Sequence, residues 1–399
     1  MKYPLILDGA TGTNLTLRGL PAGVCPEEWI LQNPEALIDL QRTFVAAGSN
    51  AVYAPTFGAN REKLSRYGLQ DKVAEFNHRL VALSKEAVGP GVMVGGDMTA
   101  LGIFTVPMGD ATFEDIYAIY QEQAAALEEA GVDFFVIETL MSLSEARAAL
   151  LAVKAVSKKP VFVTLTVGEN GKCLDGTDPA AAGAILAALG ADAFGLNCSA
   201  GPDRLREVLA EAAPAIPLPL IAKPNAGLPE MVGNQTVFRL SPADFARDTA
   251  AMAEIGVCIF GGCCGTTPEH IAALRDALDG VTPPIHSEEA LAVPADARHI
   301  FAPVESDLSM DFQDIDEDLS ELLYDLEDDD LLALRLQNEE DPAILEENLY
   351  LLKNPLALTA EDPALLERAL RAYAGRALIA YDGDLLPFVT RYGAIPLAI

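Results

Sequence analysis

Basic residues are scarce in this sequence. It carries 27 Lys and Arg against 59 Asp and Glu in 399 residues, a formal net charge of −32. Such a field repels phosphate backbones and anionic headgroups, so neither nucleic acid nor a membrane surface is expected as a partner. No run of about 18 uncharged apolar residues occurs, so no transmembrane helix is expected. The opening stretch MKYPLILDGATG meets an acid at Asp8, too early for a signal peptide. Six cysteines are few for this length and follow no disulfide-scaffold spacing. That excludes a stapled secreted fold and leads us to expect a cytoplasmic protein with free thiols.

What is there is an apolar chain: half of its residues are hydrophobic. Length and composition suit one large domain and a smaller one. Eight short apolar runs recur, at 5–9, 51–57, 92–98, 134–139, 161–167, 193–199, 219–226 and 257–264. Runs of this kind read as strands buried on both faces, which means a parallel sheet. Helical stretches separate them; in TFEDIYAIYQEQAAALEEAG, Thr112 reads as N-cap and Gly131 as the stop. Eight βα units in about 280 residues predict an α/β fold, a (β/α)8 TIM barrel over 1–282, with a doubly wound sheet as the alternative. The barrel places chemistry where strands end, and Asp8, Thr56, Asp97, Glu138, Asn197, Cys198, Asn225, Cys263 and Cys264 all fall there.

A proline-rich linker is expected over 283–310, then a small acidic α/β domain over 311–399. Its strand-like runs are 331–336, 355–360 and 376–383, and a helix starts at Pro363 and stops by Gly375. The mostly acidic run 311–330 reads as a solvated helix face or linker, with a docking surface for a basic partner as the alternative.

The segment GGCCGTTPEHI at 261–271 is the most informative. Two adjacent cysteines point apart while a strand lasts, but both sulfurs can converge on one ion where the pleat breaks. Gly261, Gly262 and Gly265 give the backbone freedom for this. Thr267 and Pro268 then start a helix, whose positive end lowers nearby thiol pKa values. Cys198, in GLNCSAGP, ends the sixth strand, two positions away around a barrel. Three thiolates with one open position are the pattern of a catalytic zinc site. Such a site can hold a substrate thiol as a nucleophilic thiolate at neutral pH. Cys25, Cys173 and Cys258 read as core residues, and His270 as a surface residue at a helix start. Thr56 and Asp97 receive no role.

GLNCSAGP, GGCCGTTPEHI, LDGATGT at 7–13 and TFGANREKL at 56–64 together resemble the homocysteine-binding module of the homocysteine S-methyltransferase family. Gly265 and TTPEHI are more similar to the cobalamin-dependent methionine synthase branch than to the betaine-dependent one. The resemblance covers residues 1 to about 280. It implies Zn2+ on Cys198, Cys263 and Cys264, and homocysteine as the thiol. Asp8 and Glu138 would hold its ammonium, and the backbone N–H groups of Gly9, Ala10 and Thr11 its carboxylate. Asn225 would fill the fourth zinc position before substrate arrives, and Asn197 would support the site from behind. Residues 53–57 read YAPTF where the family usually has Asn before the Thr.

No D-x-H-x-x-G corrinoid motif occurs, so no bound cobalamin is expected on this chain. The methyl donor is then expected to be a methylcorrinoid on a separate protein, with S-methylmethionine or another small donor as the alternative. A different class of reading is a non-catalytic zinc- and thiol-binding subunit of a methyltransferase complex. The stretch 354–383 resembles one βα unit of a pterin-binding barrel, and 391–399 a later strand. Thr359, Ala360, Ala380 and Tyr381 stand where that family usually has Asp and Asn, so folate binding is not expected.

Overall fold

The computed structural model describes residues 2–233, 235–286, 292–302, 310–315, 319–327 and 330–397. Much of the expected linker, and parts of the acidic run, lie outside the described residues. Eight parallel strands form the main sheet: β1 (Leu5–Ile6), β2 (Ala51–Ala54), β3 (Met93–Thr99), β4 (Phe134–Leu140), β5 (Val161–Leu165), β6 (Ala193–Cys198), β7 (Leu220–Pro224) and, after a small hairpin of β8 (Glu230–Val232) and β9 (Gln235–Val237), β10 (Val257–Phe260). Each falls on one of the apolar runs. Their order is β1-β10-β7-β6-β5-β4-β3-β2.

The ring closes between β1 and β2 with help from side chains. Asn50 N–H donates to Ile6 O at 2.7 Å, and Ile6 N–H donates to Asn50 Oδ1 at 3.2 Å. One rung further on, Tyr53 N–H donates to Asp8 Oδ2 at 2.9 Å. Asp8 thus replaces a ladder carbonyl at the rim, which ties a candidate site residue to closure of the barrel. The result is the expected TIM barrel.

Period-two alternation divides each strand between two cores. Leu5, Leu7, Phe134, Val136, Phe162, Ile221 and Ile259 fill the barrel interior, with the Phe134 and Phe162 rings 4.9 Å apart. Phe135, Ile137, Leu220, Ala222 and Phe260 face the outer helices. The interior core is the floor of the site described below.

A second parallel sheet follows, in sequential order: β11 (Gln313–Asp314), β12 (Leu332–Leu336), β13 (Leu356–Ala360), β14 (Leu378–Ala380) and β15 (Ile395–Pro396). The acidic run thus contributes a strand as well as a helix, Leu319–Asp325, that buries Leu319 and Leu323. The unit packs on the outer helices of the barrel. Arg147, fully buried on the helix Leu143–Val156, donates to Leu370 O at 3.0 Å and Arg371 O at 3.1 Å. These carbonyls end the helix Pro363–Ala372, where a cation is favoured. Arg371 in turn pairs with Glu114 at 2.6 Å and covers the Tyr117 ring. Arg147→Met keeps the volume but strips both carbonyls of their donor, a cost of about 2 kcal/mol. Limited proteolysis is expected to cut the second unit faster in that variant. Unchanged cleavage would mean that other contacts hold it.

Candidate metal and thiol site

The C-terminal ends of β6 and β10 bring three sulfurs together. The Sγ atoms of Cys198, Cys263 and Cys264 all lie within 4.8 Å of one another, the one such metal-compatible group among the described residues. A tetrahedral zinc with bonds of about 2.3 Å wants sulfurs about 3.8 Å apart, so small side-chain rotations close the set on an ion. The donor chemistry fits as well: soft thiolates with no competing histidine.

Local backbone geometry turns these sulfurs inward. Cys198 and Ser199 take left-handed φ values of 57° and 59°, a conformation that costs L residues about 1 kcal/mol each. Ser199 Oγ offsets some of this by accepting from Val167 N–H at 2.7 Å. On the other loop, Cys263 N–H donates to Pro224 O at 2.8 Å, and Cys264 O accepts from Ala226 N–H at 2.9 Å. Both cysteines are therefore stitched to the end of β7. Gly265 has φ +79°, and a Cβ at Gly262 would strike the Thr266 side chain.

The three thiols hold their protons unequally. Contact with Cys263 and Cys264 holds the Cys198 thiol well below its ordinary range. The same contact with Cys198 pushes the other two up, Cys263 well above an ordinary thiol and Cys264 to about 11. A cation in their midst would replace those protons.

Asn225 is buried, and its Oδ1 has no hydrogen-bond partner. Asn197, completely buried, works from behind. Its Oδ1 accepts from Thr139 N–H at 2.9 Å and from Thr164 Oγ1 at 3.0 Å, while its Nδ2 donates to Thr139 Oγ1 at 2.7 Å. Nδ2 also lies 3.9 Å from Cys263 Sγ. Thr139 itself is left-handed, φ 62°, and β4 slips register against β5 between Ile137 and Leu140. This bulge sits at Glu138, and bulges of this kind re-aim side chains beside functional sites.

Asp8, Asp97 and Glu138 are all buried inside the rim. Burial raises Asp8 to about 6 and pushes Asp97 well above the carboxylate range. Oδ1 of each aspartate lacks a hydrogen-bond partner. Thr56 Oγ1 donates to Asp97 O at 2.8 Å and accepts from Asp97 N–H at 2.9 Å, which gives it a structural role in locking β2 to β3.

Several details depart from expectation. Ala10 N–H already donates to Thr266 Oγ1 at 3.0 Å, which spends one of the three expected carboxylate donors and leaves Gly9 and Thr11. Thr266 was not anticipated; its hydroxyl donates to Cys263 O at 2.7 Å and so joins the Gly9–Thr11 turn to the cysteine loop. Asn14 Nδ2 reinforces that joint through Ala10 O and Thr266 O. His270 is buried, not a surface residue. Its Nδ1 accepts from Thr267 N–H at 3.2 Å, so Nε2 carries the proton and donates to Leu240 O at 3.0 Å. It stands three positions after the N-cap, where a side chain can close a capping box, and that spacing was the available signal.

Lys223 was also missed. It is buried, its Nζ lies 3.3 Å from Glu138 Oε2 and 4.0 Å from Asp8 Oδ1, and it sits 3.6 Å from the Tyr53 ring centroid. Burial works against its charge, but Glu138, Tyr53 and Asp8 more than offset that and raise its pKa. Alternation could have revealed it, since Ile221, Lys223 and Asn225 share the inward face of a strand.

Comparison with known proteins places this chain in a family. The family model described as homocysteine S-methyltransferase matches residues 5–278. Methionine synthase of Mycobacterium leprae is 31% identical over 302 residues, 70% of this chain and 25% of that protein. Methionine synthase of Mycobacterium tuberculosis is 31% identical over 299 residues, with the same coverage. The chain thus spans about a quarter of the length of these relatives. Among solved structures, the homocysteine methyltransferase MmuM from Escherichia coli in its apo form is 25% identical, with a TM-score of 0.53, over 68% of this chain and 95% of that one. Its oxidized form shares the fold at a TM-score of 0.57 and 24% identity. Among the described residues, no helix is long and apolar enough to cross a membrane.

Proposed function

The chain belongs to the homocysteine S-methyltransferase family, and from that premise we propose that it methylates homocysteine to methionine with zinc held by Cys198, Cys263 and Cys264. The observation that carries this reading is the convergence of three sulfurs at one barrel rim. When bound there, zinc supplies a Lewis acid weak enough to keep a substrate thiol both deprotonated and nucleophilic.

The chain's own residues do the rest. Asn225 Oδ1, buried without a hydrogen-bond partner, would be the residue to hold zinc's fourth position in the absence of a substrate thiol. Asp8 and Glu138 receive the substrate ammonium, while the Gly9 and Thr11 N–H groups face its carboxylate. Asn197 holds the β4 bulge and the Cys263 sulfur in one network, so the ammonium end and the sulfur end keep a fixed separation. The homocysteine sulfur then attacks the donor methyl carbon in line. A new S–C bond forms, and the electron pair of the broken methyl bond leaves with the donor.

The donor is a methylcorrinoid carried by another polypeptide or region. The similarity to methionine synthases supports this, together with the absence of a D-x-H-x-x-G motif from this sequence. The test is methionine formation by zinc-loaded protein with methylcobalamin and, in parallel, S-methylmethionine. Turnover with methylcobalamin supports the corrinoid reading. Turnover with S-methylmethionine alone replaces the donor but keeps the thiol chemistry. No turnover with either, alongside intact zinc and homocysteine binding, favours a non-catalytic thiol-binding subunit.

A further inference from the structure

A buried pair of acids built for a substrate cation normally makes a site exacting. A ligand without the cation leaves both carboxylates desolvated and unpaired, and it is rejected strongly. In this barrel the pair has its own cation. Lys223 Nζ is 3.3 Å from Glu138 and 4.0 Å from Asp8, at the position where a substrate ammonium would bridge them. It has other support nearby in the face of the Tyr53 ring, 3.6 Å from its Nζ.

We propose that Lys223 is a resident stand-in for the substrate amine, and that it widens the acceptor class to thiol carboxylates of homocysteine's length with or without an α-amine. The inference rests on the reading that Asp8 and Glu138 are the ammonium site. When homocysteine binds, its amine shares the acids with Lys223, which leans on the face of Tyr53. When an amine-less thiol acid binds, Lys223 stays between Asp8 and Glu138, and neither of these two acids is left without a cation. Selection then falls on the thiol and the carboxylate more than on the amine.

The test compares two ligands on the zinc-loaded full chain by calorimetry: homocysteine and 4-mercaptobutanoate, which has the same thiol, chain and carboxylate but no amine. Both meet the same metal, so the ratio of their dissociation constants isolates the amine. The wild-type ratio is expected to stay within about tenfold, and Lys223→Met is expected to raise it by about tenfold or more, because only homocysteine then supplies a cation. An unchanged ratio in Lys223→Met overturns the proposal. So does a wild-type protein that rejects 4-mercaptobutanoate by more than about a hundredfold, a readout that needs no variant to fold. Glu138→Gln separates the underlying reading. If it weakens homocysteine but not 4-mercaptobutanoate, the ammonium site stands whatever Lys223 does. If it moves neither constant, that reading fails by itself.

Discussion

Cys263→Ser is expected to lose most of its zinc and all thiol activation while the barrel stays folded. Serine is nearly isosteric with cysteine, and the hydrogen bonds at this position use the backbone: Cys263 N–H to Pro224 O, and Cys263 O from Thr266. Neither depends on sulfur. The metal does, because a serine hydroxyl stays protonated where a thiolate would bond. Changes behind a metal site typically cost about 10–100-fold in affinity, and removing a ligand should cost more. Metal content after dialysis, circular dichroism and methionine formation together check this. A folded variant that kept both zinc and activity would mean that the ion sits elsewhere.

The second large effect is on substrate. Glu138→Gln preserves the size of the side chain but removes the charge that faces Lys223 and, in our reading, the substrate ammonium. Losing a charged hydrogen bond in a desolvated site costs about 1.5–3 kcal/mol, or roughly 10–100-fold in homocysteine affinity. Zinc content should not change, since Glu138 contributes no ligand to the sulfur cluster. Loss of zinc in this variant would contradict the division of the site into an ammonium end and a metal end.

The barrel was legible because its strands are buried on both faces. Such strands appear as unbroken apolar runs, and all eight lie where those runs lie. The sulfur cluster was legible because cysteine is rare here and two cysteines are adjacent after glycine. What escaped reading were residues whose role depends on partners far away in sequence. Lys223 sits in an apolar run, and only the barrel brings Asp8 and Glu138 to it. Thr266 reads as a loop threonine until Ala10 N–H, 256 positions earlier, is found on its hydroxyl. His270 looked like a polar residue at a helix start, yet Leu240 O and the Phe245 ring enclose it. The fold of the second unit was partly legible: the runs near 331, 355 and 376 became β12, β13 and β14. β11 was hidden by the acidic composition around it.

The most direct test of the central claim is zinc X-ray absorption on the full chain, with and without homocysteine. The account predicts three sulfur ligands and one lighter ligand in the free protein, and four sulfurs once homocysteine is bound. A sulfur count that does not rise when homocysteine binds would contradict it, because the thiol would then be held without being activated by the metal.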